Sequence, residues 1–418
     1  MVTDARVPLR YILRPREVVG QQHLPVLSVY RDYGAIPKDS RRDNFNKTPP
    51  DLSRYQEVRR GDLVVNKMKA WQGSLAISQH HGIVSPDYLV CSVSSSVDQQ
   101  YLHYLLRSSP LVLEYQRRSK GIRPAQWRLY WEDLAELSVE LPRIEEQRRI
   151  ADLLDAETAR IDRLATMLGK TLATLRERRD TGVYARVTGS EHRSRRASGL
   201  AWAESLPSRW GTVKLGLLAR MGSGHTPSRS NPEWWTDCRI PWITTGEVSQ
   251  VRDDRREVIS ETRERISELG LANSAAELHP KGTVVLCRTA SAGYSGVMGH
   301  DMATSQDYVT WTCGPRLDPF YLLWCLRAMR QDLLGRLAMG STHKTIYVPD
   351  LQMLRVPLPE LGEQREIVKR IREANTRIDS LVDAINQQLA LLAERRQALI
   401  TAAVTGQMDV TTARRVTP

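Results

Sequence analysis

One stretch of 49 residues occurs twice in this chain. Residues 141–189 read LPRIEEQRRIADLLDAETARIDRLATMLGKTLATLRERRDTGVYARVTG, and residues 358–406 read LPELGEQREIVKRIREANTRIDSLVDAINQQLALLAERRQALITAAVTG. The copies align without a gap at an offset of 217 residues. They share Leu-Pro and Glu-Gln at the start, Arg-Ile-Asp and Glu-Arg-Arg further along, and Val-Thr-Gly at the end. A repeat at so long a distance indicates a duplicated module, because solenoid repeats have much shorter periods.

Each copy has the pattern of a long amphipathic helix. Pro142 and Pro359 suit a helix start, and apolar residues then recur at a spacing close to 3.5 residues. The predicted pairing positions are Leu154, Ile161, Leu164, Leu168 and Leu175 in the first copy, and Ile371, Ile378, Leu381, Ile385 and Leu392 in the second. An apolar stripe needs a partner, and a second copy in the same chain favours an antiparallel coiled coil. The alternative is that each helix packs on its own domain or on another protein.

Length, charge and cysteine content limit the class of protein. A chain of 418 residues predicts two to four domains. The net charge is +12, and most of the excess lies outside the two repeats, which favours a polyanionic partner such as nucleic acid. A basic protein that binds no nucleic acid is the alternative. With no long apolar run, no signal-peptide core and five scattered cysteines, we expect a cytoplasmic protein with reduced thiols, without membrane or metal binding.

Residues 1–140 have the pattern of an α+β domain. Short β-like runs at 24–30, 63–66, 75–78 and 88–93 precede a helical stretch from Asp98 to about Arg118. Polar loops between these elements mix basic and aromatic side chains, which address phosphates and base edges or stack on bases. The alternative is that half of the aromatics are core residues and many charges are only solvated. The candidate DNA-binding residues here are Tyr33, Lys67, Lys69, Trp71, Gln72, Arg123, Gln126 and Arg128.

Residues 205–357 repeat the first domain at low similarity. Residues 281–285 (KGTVV) correspond to 60–64 (RGDLV), and 305–308 (SQDY) correspond to 85–88 (SPDY). The loops differ, as two domains that bind different targets require on a shared scaffold. The candidate DNA-binding residues of this domain are His225, Thr226, Thr244, Thr245, Arg288, Ser291, Tyr294, Thr342, His343 and Lys344.

The predicted fold is therefore an α+β tandem repeat with pseudo-two-fold symmetry. Two globular domains, residues 1–140 and 205–357, alternate with long helices in residues 141–189 and 358–410. Residues 190–204 are Ser/Arg-rich and lack periodicity, which predicts a solvated linker, and residues 411–418 form a tail.

The doubled motifs resemble those of a known family. Leu-Pro-x-x-x-Glu-Gln opens each helix, Arg-Ile-Asp lies within it and Val-Thr-Gly closes it. Residues 239–247 (RIPWITTGE) follow 224–227 (GHTP), while 61–64 (GDLV) and 82–88 (GIVSPDY) mark the first domain. This combination resembles the DNA-specificity subunit of a type I restriction-modification enzyme over nearly the whole chain. The first domain departs from the pattern in having VPLRY at 7–11 where the second has Leu-Pro-x-x-Trp at 206–210.

The resemblance implies a division of labour. Each globular domain would bind one half of a bipartite, asymmetric sequence in double-stranded DNA, as a target recognition domain, and the paired helices would fix the spacer between the halves. The family's specificity subunit associates with two methyltransferase (modification) subunits and with restriction subunits that cleave DNA. S-adenosylmethionine, ATP and magnesium would belong to those partners.

Catalytic motifs are not recognisable in the sequence itself. Pro49-Pro50 lacks the polar and aromatic neighbours that an amino-methyltransferase loop needs, and residues 340–345 are too short for a phosphate-binding loop. Pro86-Asp87 and Pro349-Asp350 are not followed by the Glu-x-Lys of a nuclease. We therefore predict a chain that is not an enzyme by itself. The alternatives are a self-contained modification enzyme or nuclease, a coiled-coil adaptor that binds only protein, and, closest, the recognition subunit of a related multisubunit type II system.

Overall fold

A computed structural model of the chain describes residues 6–31, 33–41, 48–123, 126–339 and 344–408. Within these ranges no helix is both long and apolar enough to cross a membrane.

The N-terminal region is an α+β domain built on a four-stranded antiparallel sheet. Its strands are β1 (Arg6–Pro8), β2 (Leu13–Pro15), β3 (Leu27–Tyr30), β4 (Gly34–Pro37), β5 (Gln56–Val58), β6 (Leu63–Asn66), β7 (Leu75–Ile77), β8 (Gly82–Val84), β9 (Tyr88–Val93) and β10 (Ser138–Glu140). Its helices are α1 (Gln99–Leu106), α2 (Ser109–Arg118) and α3 (Trp131–Ala135). The central sheet has the order β2-β9-β6-β7, and β1-β10, β3-β4 and β5-β8 form two-stranded sheets.

The helical stretch predicted from Asp98 to Arg118 is two helices. Asp98 caps α1 by accepting a hydrogen bond from the backbone N–H of Tyr101 at 2.9 Å. The chain then breaks after Leu106 because Pro110 has no N–H to donate and suits the first turn of a new helix, α2.

The first long helix, α4 (Ile144–Val187), leads into a second α+β domain. Its strands are β11 (Arg195–Leu200), β12 (Ala203–Pro207), β13 (Gly211–Lys214), β14 (Ala219–Ser223), β15 (Ile240–Ile243), β16 (Val258–Ile259), β17 (Glu264–Ile266), β18 (Val284–Cys287), β19 (Ser295–Met298), β20 (Ala303–Thr304), β21 (Tyr308–Cys313), β22 (Ala338–Met339), β23 (Thr345–Ile346) and β24 (Arg355–Leu358). Its short helices are α5 (Val248–Val251), α6 (Glu268–Ala272), α7 (Pro319–Ala328), α8 (Arg330–Asp332) and α9 (Val348–Gln352). The second long helix, α10 (Leu361–Val404), follows.

The two domains share a strand register, which confirms the predicted α+β tandem fold. In the first domain β6 pairs antiparallel with β9, so that Leu63 lies opposite Cys91. In the second, β18 pairs antiparallel with β21, so that Val284 lies opposite Trp311. These strands lie in the sheet of order β14-β21-β18-β19-β16, beside which β17-β15-β20 forms a three-stranded sheet.

The chain divides into two compact units, and each contains one globular domain with parts of both long helices. The first comprises residues 1–168 and 387–418, and the second comprises residues 169–386. In the first unit Leu154 is fully buried in a core cluster with Ile400 and Ala403. In the second unit Val187 and Ile371 belong to one core cluster. Since the start of α4 meets the end of α10 in one unit, and the reverse holds in the other, the helices pair antiparallel in each, as predicted.

The repeated Arg-Ile-Asp and Glu-Arg-Arg motifs form ion pairs with each other. In the first unit the Nε of Arg396 lies 3.3 Å from Oδ1 of Asp162, and in the second the Nε of Arg179 lies 3.4 Å from Oδ1 of Asp379. Each pair joins the aspartate of one copy to the second arginine of the other. The duplication therefore places the same contact in each unit, one of the reasons that both motifs recur.

Two of the predicted pairing residues are exposed. Leu164 is 44% and Leu381 is 53% exposed, whereas Leu172 and Val382 are buried. Positions that recur by alternate steps of three and four residues form the seam of a coiled coil. The buried Leu172 lies four residues after Leu168 and three before Leu175, so it belongs to this seam. The same series continues back to residue 165 and does not include Leu164. The prediction for Leu164 and Leu381 was therefore wrong about the seam. The other named residues, Ile161, Leu168, Leu175, Ile378, Ile385 and Leu392, are buried or half-buried.

The glutamine of each Leu-Pro-x-x-x-Glu-Gln motif joins the helix to its own domain. Gln147 is 2% exposed, and its Oε1 accepts a hydrogen bond from the N–H of Asp98 at 2.9 Å. Gln364 is fully buried, and its Oε1 accepts from the N–H of Asp318 at 2.9 Å. Because Asp98 and Asp318 cap α1 and α7, the same residue fixes the start of each long helix against a domain helix.

The Val-Thr-Gly motifs end the long helices. Gly189 has φ +59° and Gly406 has φ +69°, the left-handed conformation that glycine adopts without a steric penalty. The N–H groups of Ser190 and Gln407 donate to carbonyls five residues earlier, at 2.7 and 3.0 Å. This is the Schellman arrangement, which satisfies carbonyls that the last helical turn leaves open.

Residues 190–204 are not a solvated linker throughout. Strands β11 and β12 form an antiparallel hairpin in which Ser198 is 5% exposed and Ala203 is fully buried. The guanidinium of Arg195 donates to the carbonyl oxygens of Thr188 and Gly189 and so neutralises the negative end of α4. The prediction of a linker rested on the polar composition of this segment. It was wrong because polar side chains such as Arg195 bond to protein carbonyl groups instead of facing only solvent.

Candidate nucleic-acid interface

In the N-terminal domain three loops meet at one end of the central sheet. The N–H of Lys67 donates to the carbonyl of Asp87 at 3.1 Å, and the N–H of Leu129 donates to the carbonyl of Lys67 at 2.9 Å. The ammonium of Lys67 donates to the carbonyl of Pro86 at 2.7 Å. These bonds hold the loops at 66–74, 85–88 and 120–129 together, with Lys67 at the junction.

The predicted binding residues of these loops differ in exposure. Trp71 is half-buried, packs edge-to-face on Trp127 at 5.6 Å between ring centroids and donates its indole N–H to the carbonyl of Met68. Arg128 is half-buried and lies 3.4 Å from the carboxylate of Asp87. Four predicted residues are exposed on the same loops, namely Lys69, Gln72, Arg123 and Gln126. The structure therefore brings the seven predicted residues of these two loops together, with Trp71 in a packing role.

Tyr33 lies at the turn between β3 and β4. Its side chain is 61% exposed, and the guanidinium of Arg41 lies 4.5 Å from its ring centroid. The turn borders the 66–74 loop, because a Cβ placed on Gly73 would lie 3.7 Å from Cγ of Arg31. An exposed tyrosine covered by an arginine is a cationic, aromatic surface suited to bases or phosphates.

The C-terminal domain reproduces the junction with different side chains. The N–H of Arg288 donates to the carbonyl of Asp307 at 2.7 Å, and the N–H of Ile346 donates to the carbonyl of Arg288 at 2.8 Å. The Nε of Arg288 donates to the carbonyl of Gln306 at 2.9 Å. Arg288 thus stands where Lys67 stands in the first domain, and Gln306 stands where Pro86 does. Both domains therefore have a cationic side chain at the junction, whereas the residue at the turn differs, proline in the first domain and glutamine in the second.

The loop after β14 holds the predicted residues His225 and Thr226. The N–H of His225 donates to the carbonyl of Thr304 at 3.0 Å and leaves the imidazole exposed. The Thr226 hydroxyl donates to Oε1 of Gln306 at 2.6 Å. A Cβ on Gly224 would lie 2.0 Å from the Thr304 carbonyl oxygen, so the close approach of these backbones requires glycine.

A buried carboxylate organises the loop that contains Thr244 and Thr245. Glu247 is fully buried; its Oε2 accepts from the N–H of Thr244 at 2.7 Å and from the Thr244 hydroxyl at 2.8 Å. Its Oε1 accepts from the N–H of Arg263 at 2.9 Å. The Thr244 hydroxyl proton is therefore used inside the protein, which gives Thr244 a structural role, and Thr245 is the half-buried neighbour at the surface.

Tyr294 and Ser291 lie in an arginine-rich part of the second domain. The Tyr294 ring lies 5.3 Å from the guanidinium of Arg252 and 4.7 Å from that of Arg330. Ser291 Oγ accepts from Nη2 of Arg252 at 3.5 Å. Arg330 in turn forms two hydrogen bonds with the carboxylate of Asp254, so Tyr294 is held between fixed cations.

Two of the predicted residues lie outside the part that the structure describes, namely Thr342 and His343. Lys344 is exposed and its ammonium donates to the carbonyl of Leu334 at 3.4 Å.

Sequence reasoning missed Gln306, although its motif was recognised. The correspondence of SQDY at 305–308 with SPDY at 85–88 located the turn, and the substitution of proline by glutamine within it was the available signal. Arg41 and Arg252 were also missed, because only the tertiary structure brings them onto Tyr33 and Tyr294.

Two buried titratable groups, Cys287 and Tyr308, lie at the second junction. Burial raises the pKa of the Cys287 thiol to about 11 and raises the pKa of Tyr308 well above its ordinary value. Both groups are therefore protonated at neutral pH. Among the described residues no group of three or more His, Cys, Asp and Glu side chains is arranged to hold a metal ion.

Comparison with known proteins identifies proteins that are similar to this chain. Residues 207–391 match the family described as type I restriction modification DNA specificity domain. The type I restriction enzyme MjaIX specificity subunit of Methanocaldococcus jannaschii is 26% identical over 164 residues, covering 39% of this chain and 37% of that protein. The putative MjaX specificity subunit of the same organism is 21% identical over 390 residues, covering 87% of this chain and 81% of that protein.

The fold is shared over nearly the full chain with a solved structure. A chain in a structure of a type I R-M system, described in terms of complex assembly and conformational transition, covers 97% of this chain and 98% of its own. Its TM-score is 0.73 at 18% sequence identity. This chain spans only 37% of the length of the MjaIX specificity subunit.

Within this fold the family match covers the C-terminal globular domain and the first part of α10. The chain is therefore similar to the specificity subunits of type I restriction-modification enzymes, as the sequence motifs predicted.

Proposed function

We propose that this chain is the DNA-recognition subunit of a type I restriction-modification complex. Each globular domain binds one half of a bipartite, asymmetric target in double-stranded DNA. The observation that carries the proposal is the duplicated junction, with Lys67 and Pro86 in one domain and Arg288 and Gln306 in the other. One scaffold that presents a cation beside different neighbours suits two domains that bind different sequences.

The charge distribution supports DNA as the partner. The net charge is +12, and exposed cations such as Lys69 and Arg123 lie on the junction loops. Cations on loops bind phosphates and release counterions, which positions a protein on DNA, while neighbouring amides and guanidinium groups address base edges.

The paired helices would fix the spacer between the two half-sites. Each is 44 residues long, about 66 Å at 1.5 Å per residue. Seven residues inserted into α4 after Gly169 and seven into α10 after Asn386 would preserve the heptad pattern. We expect such a variant to accept a different spacer while both half-sites stay unchanged. A change in either half-site would contradict this role.

We further propose that the helices and flanking surfaces bind two methyltransferase subunits, and that restriction subunits join the assembly. In the first unit Leu164, Leu168, Leu391 and Leu392 line a shallow groove of about 350 Å³, and Leu391 is 55% exposed. An exposed apolar groove on a helix pair suits a helix from a partner.

The chemistry would belong to those partners. This chain would be non-catalytic and cytoplasmic, and S-adenosylmethionine, ATP and magnesium would bind to the modification and restriction subunits. The support from this chain is that its junction side chains are cations, amides and hydroxyls engaged with backbone groups, with a protonated thiol at Cys287.

Exchange of one domain tests the proposal. An exchange that began at residue 205, the predicted start of the domain, would cut strand β12. The exchanged segment therefore begins after Gly189, just beyond the end of α4, and ends at Leu358, the last residue of β24. Residues 190–358 are replaced by the corresponding domain of another specificity subunit, and methylated sites are mapped by methylome sequencing in cells with the modification subunits. We expect one half-site to change and the other to persist. Two unchanged half-sites would refute the proposal.

A further inference from the structure

The turn between β20 and β21 is held rigidly, and Gln306 stands at its tip. The N–H of Ser305 donates to the carbonyl of Ile243 at 2.9 Å, and the N–H of Tyr308 donates to the carbonyl of Ser305 at 3.2 Å. The carboxylate of Asp307 accepts hydrogen bonds from the hydroxyls of Thr289 and Ser305. Gln306 itself is exposed, so its side chain projects from a fixed backbone without contributing to the core.

The amide of Gln306 is already oriented. The Thr226 hydroxyl donates to Oε1 at 2.6 Å, and within the part of the chain that the structure describes Nε2 donates to no protein acceptor. A carbonyl oxygen has two lone pairs, so Oε1 can accept a second hydrogen bond while the amide NH2 has two donors to offer a ligand. The backbone carbonyl of Gln306 accepts a hydrogen bond from Nε of Arg288, which places a guanidinium beside the turn. The other N–H donors of that guanidinium take no part in this bond.

The equivalent turn in the first domain lacks this group. Pro86 occupies the corresponding position, and its carbonyl accepts from the ammonium of Lys67 as the Gln306 carbonyl accepts from Arg288. A proline side chain has no donor or acceptor. The backbone arrangement is therefore shared, and the hydrogen-bonding side chain at the tip exists in only one domain.

We propose that Gln306 is a base-reading residue of the C-terminal domain and that Thr226 positions it. This inference rests on the proposed DNA-recognition function. In the major groove adenine offers the N6 amino donor and the N7 acceptor, which match a glutamine carbonyl and amide together. Gln306 thus recognises an adenine in the half-site bound by this domain, with Arg288 addressing an adjacent guanine or phosphate.

Single substitutions test the assignment in the complete complex. Gln306 is exposed, and Gln306→Ala leaves the backbone hydrogen bonds of the turn in place, so we expect the fold to be retained. Methylome sequencing should show that one adenine position of one half-site accepts other bases, with its preference reduced roughly 5- to 150-fold. Thr226→Val should reduce the preference for adenine at the same position by a smaller factor. Thr226→Ser, which keeps a hydroxyl, should retain the preference of the native chain. Gln331→Ala removes an exposed glutamine of the same domain and should change nothing.

Two results would overturn the inference. One is an unchanged base preference at every position in Gln306→Ala, and the other is relaxation in the half-site bound by the N-terminal domain. The domain exchange described above, made in the same cells, separates the two proposals. If the exchange changes one half-site while Gln306→Ala has no effect, only the assignment of Gln306 fails; if neither has an effect, the recognition function fails as well.

Discussion

Replacing Gln364 by methionine should destabilise the second unit by about 3 kcal/mol. The buried amide accepts from the N–H of Asp318 and donates to the carbonyls of Arg316 and Pro359, each at 2.9 Å. A hydrogen bond of this kind contributes about 1 kcal/mol net, and methionine fills similar volume but leaves all three backbone groups without a partner. For a unit of this size the melting temperature should fall by roughly 6–12 °C.

Urea unfolding of the purified full chain measures the effect. Seven of the ten tryptophans (residues 202, 210, 234, 235, 242, 311 and 324) lie in the second unit, so tryptophan fluorescence chiefly follows its unfolding. Gln387→Met is the matched control, because Gln387 is exposed on the same helix and its replacement should change the free energy of unfolding by under about 0.5 kcal/mol. If Gln364→Met costs no more than the control, the glutamine does not hold α10 to its domain.

Three further predictions concern pH, charge and backbone conformation. Burial, together with the neighbouring charges of Arg107 and Arg396, lowers the pKa of His103 to about 3. The unfolded imidazole takes up a proton below about pH 6.5 and the folded one does not, so stability is full above that pH and declines as pH falls toward 3; the half-buried ring should cost about 1 kcal/mol between pH 7.5 and 5.5. Urea unfolding of the native chain and of His103→Gln at both pH values checks this, and an equal decline in both proteins would contradict it. Asp379→Asn should cost more than Asp162→Asn, although both under about 1 kcal/mol and less at high salt, because the Arg179–Asp379 pair is the less exposed; thermal unfolding at two salt concentrations should resolve the order, and the reverse order would count against the seam described here. Gly189→Ala should destabilise by more than about 1 kcal/mol, since φ is +59° and the new Cβ would lie 2.5 Å from Pro207; Gly169→Ala, in open space within α4, should stabilise by roughly 0.5–1 kcal/mol, and equal melting temperatures for the two variants would be inconsistent with these conformations.

The helix pair shows which part of a coiled coil can be predicted from sequence. The predicted positions Leu154, Ile161, Leu168 and Leu175 recur every seven residues and are buried or half-buried. The other seam positions were not identified, because they include polar residues such as Asn375, which is 6% exposed. Hydrophobic periodicity cannot reveal a polar residue whose burial depends on a domain packed beside the helix.

The candidate interface was predicted in composition better than in geometry. Sequence placed Lys67 and Arg288 among the binding residues, and the structure adds that they occupy equivalent junctions. It also shows that Thr244 is engaged by the buried Glu247 and that Trp71 packs on Trp127. Residue type indicates which contacts a side chain can make, but only the fold decides whether a protein group already occupies it.

The sequence by itself determined the duplication, the two long helices, their antiparallel pairing and the α+β character of the domains between them. Each of these follows from local periodicity or from identity between the copies, which requires no knowledge of distant contacts. Tertiary structure alone decided why the motifs recur: Gln147 and Gln364 join each helix to a domain, and the repeated aspartates and arginines pair across the seam. It also oriented Gln306 through Thr226, a residue 80 positions away. Contacts of that separation depend on how strands and loops assemble in space, so no local pattern could have shown them.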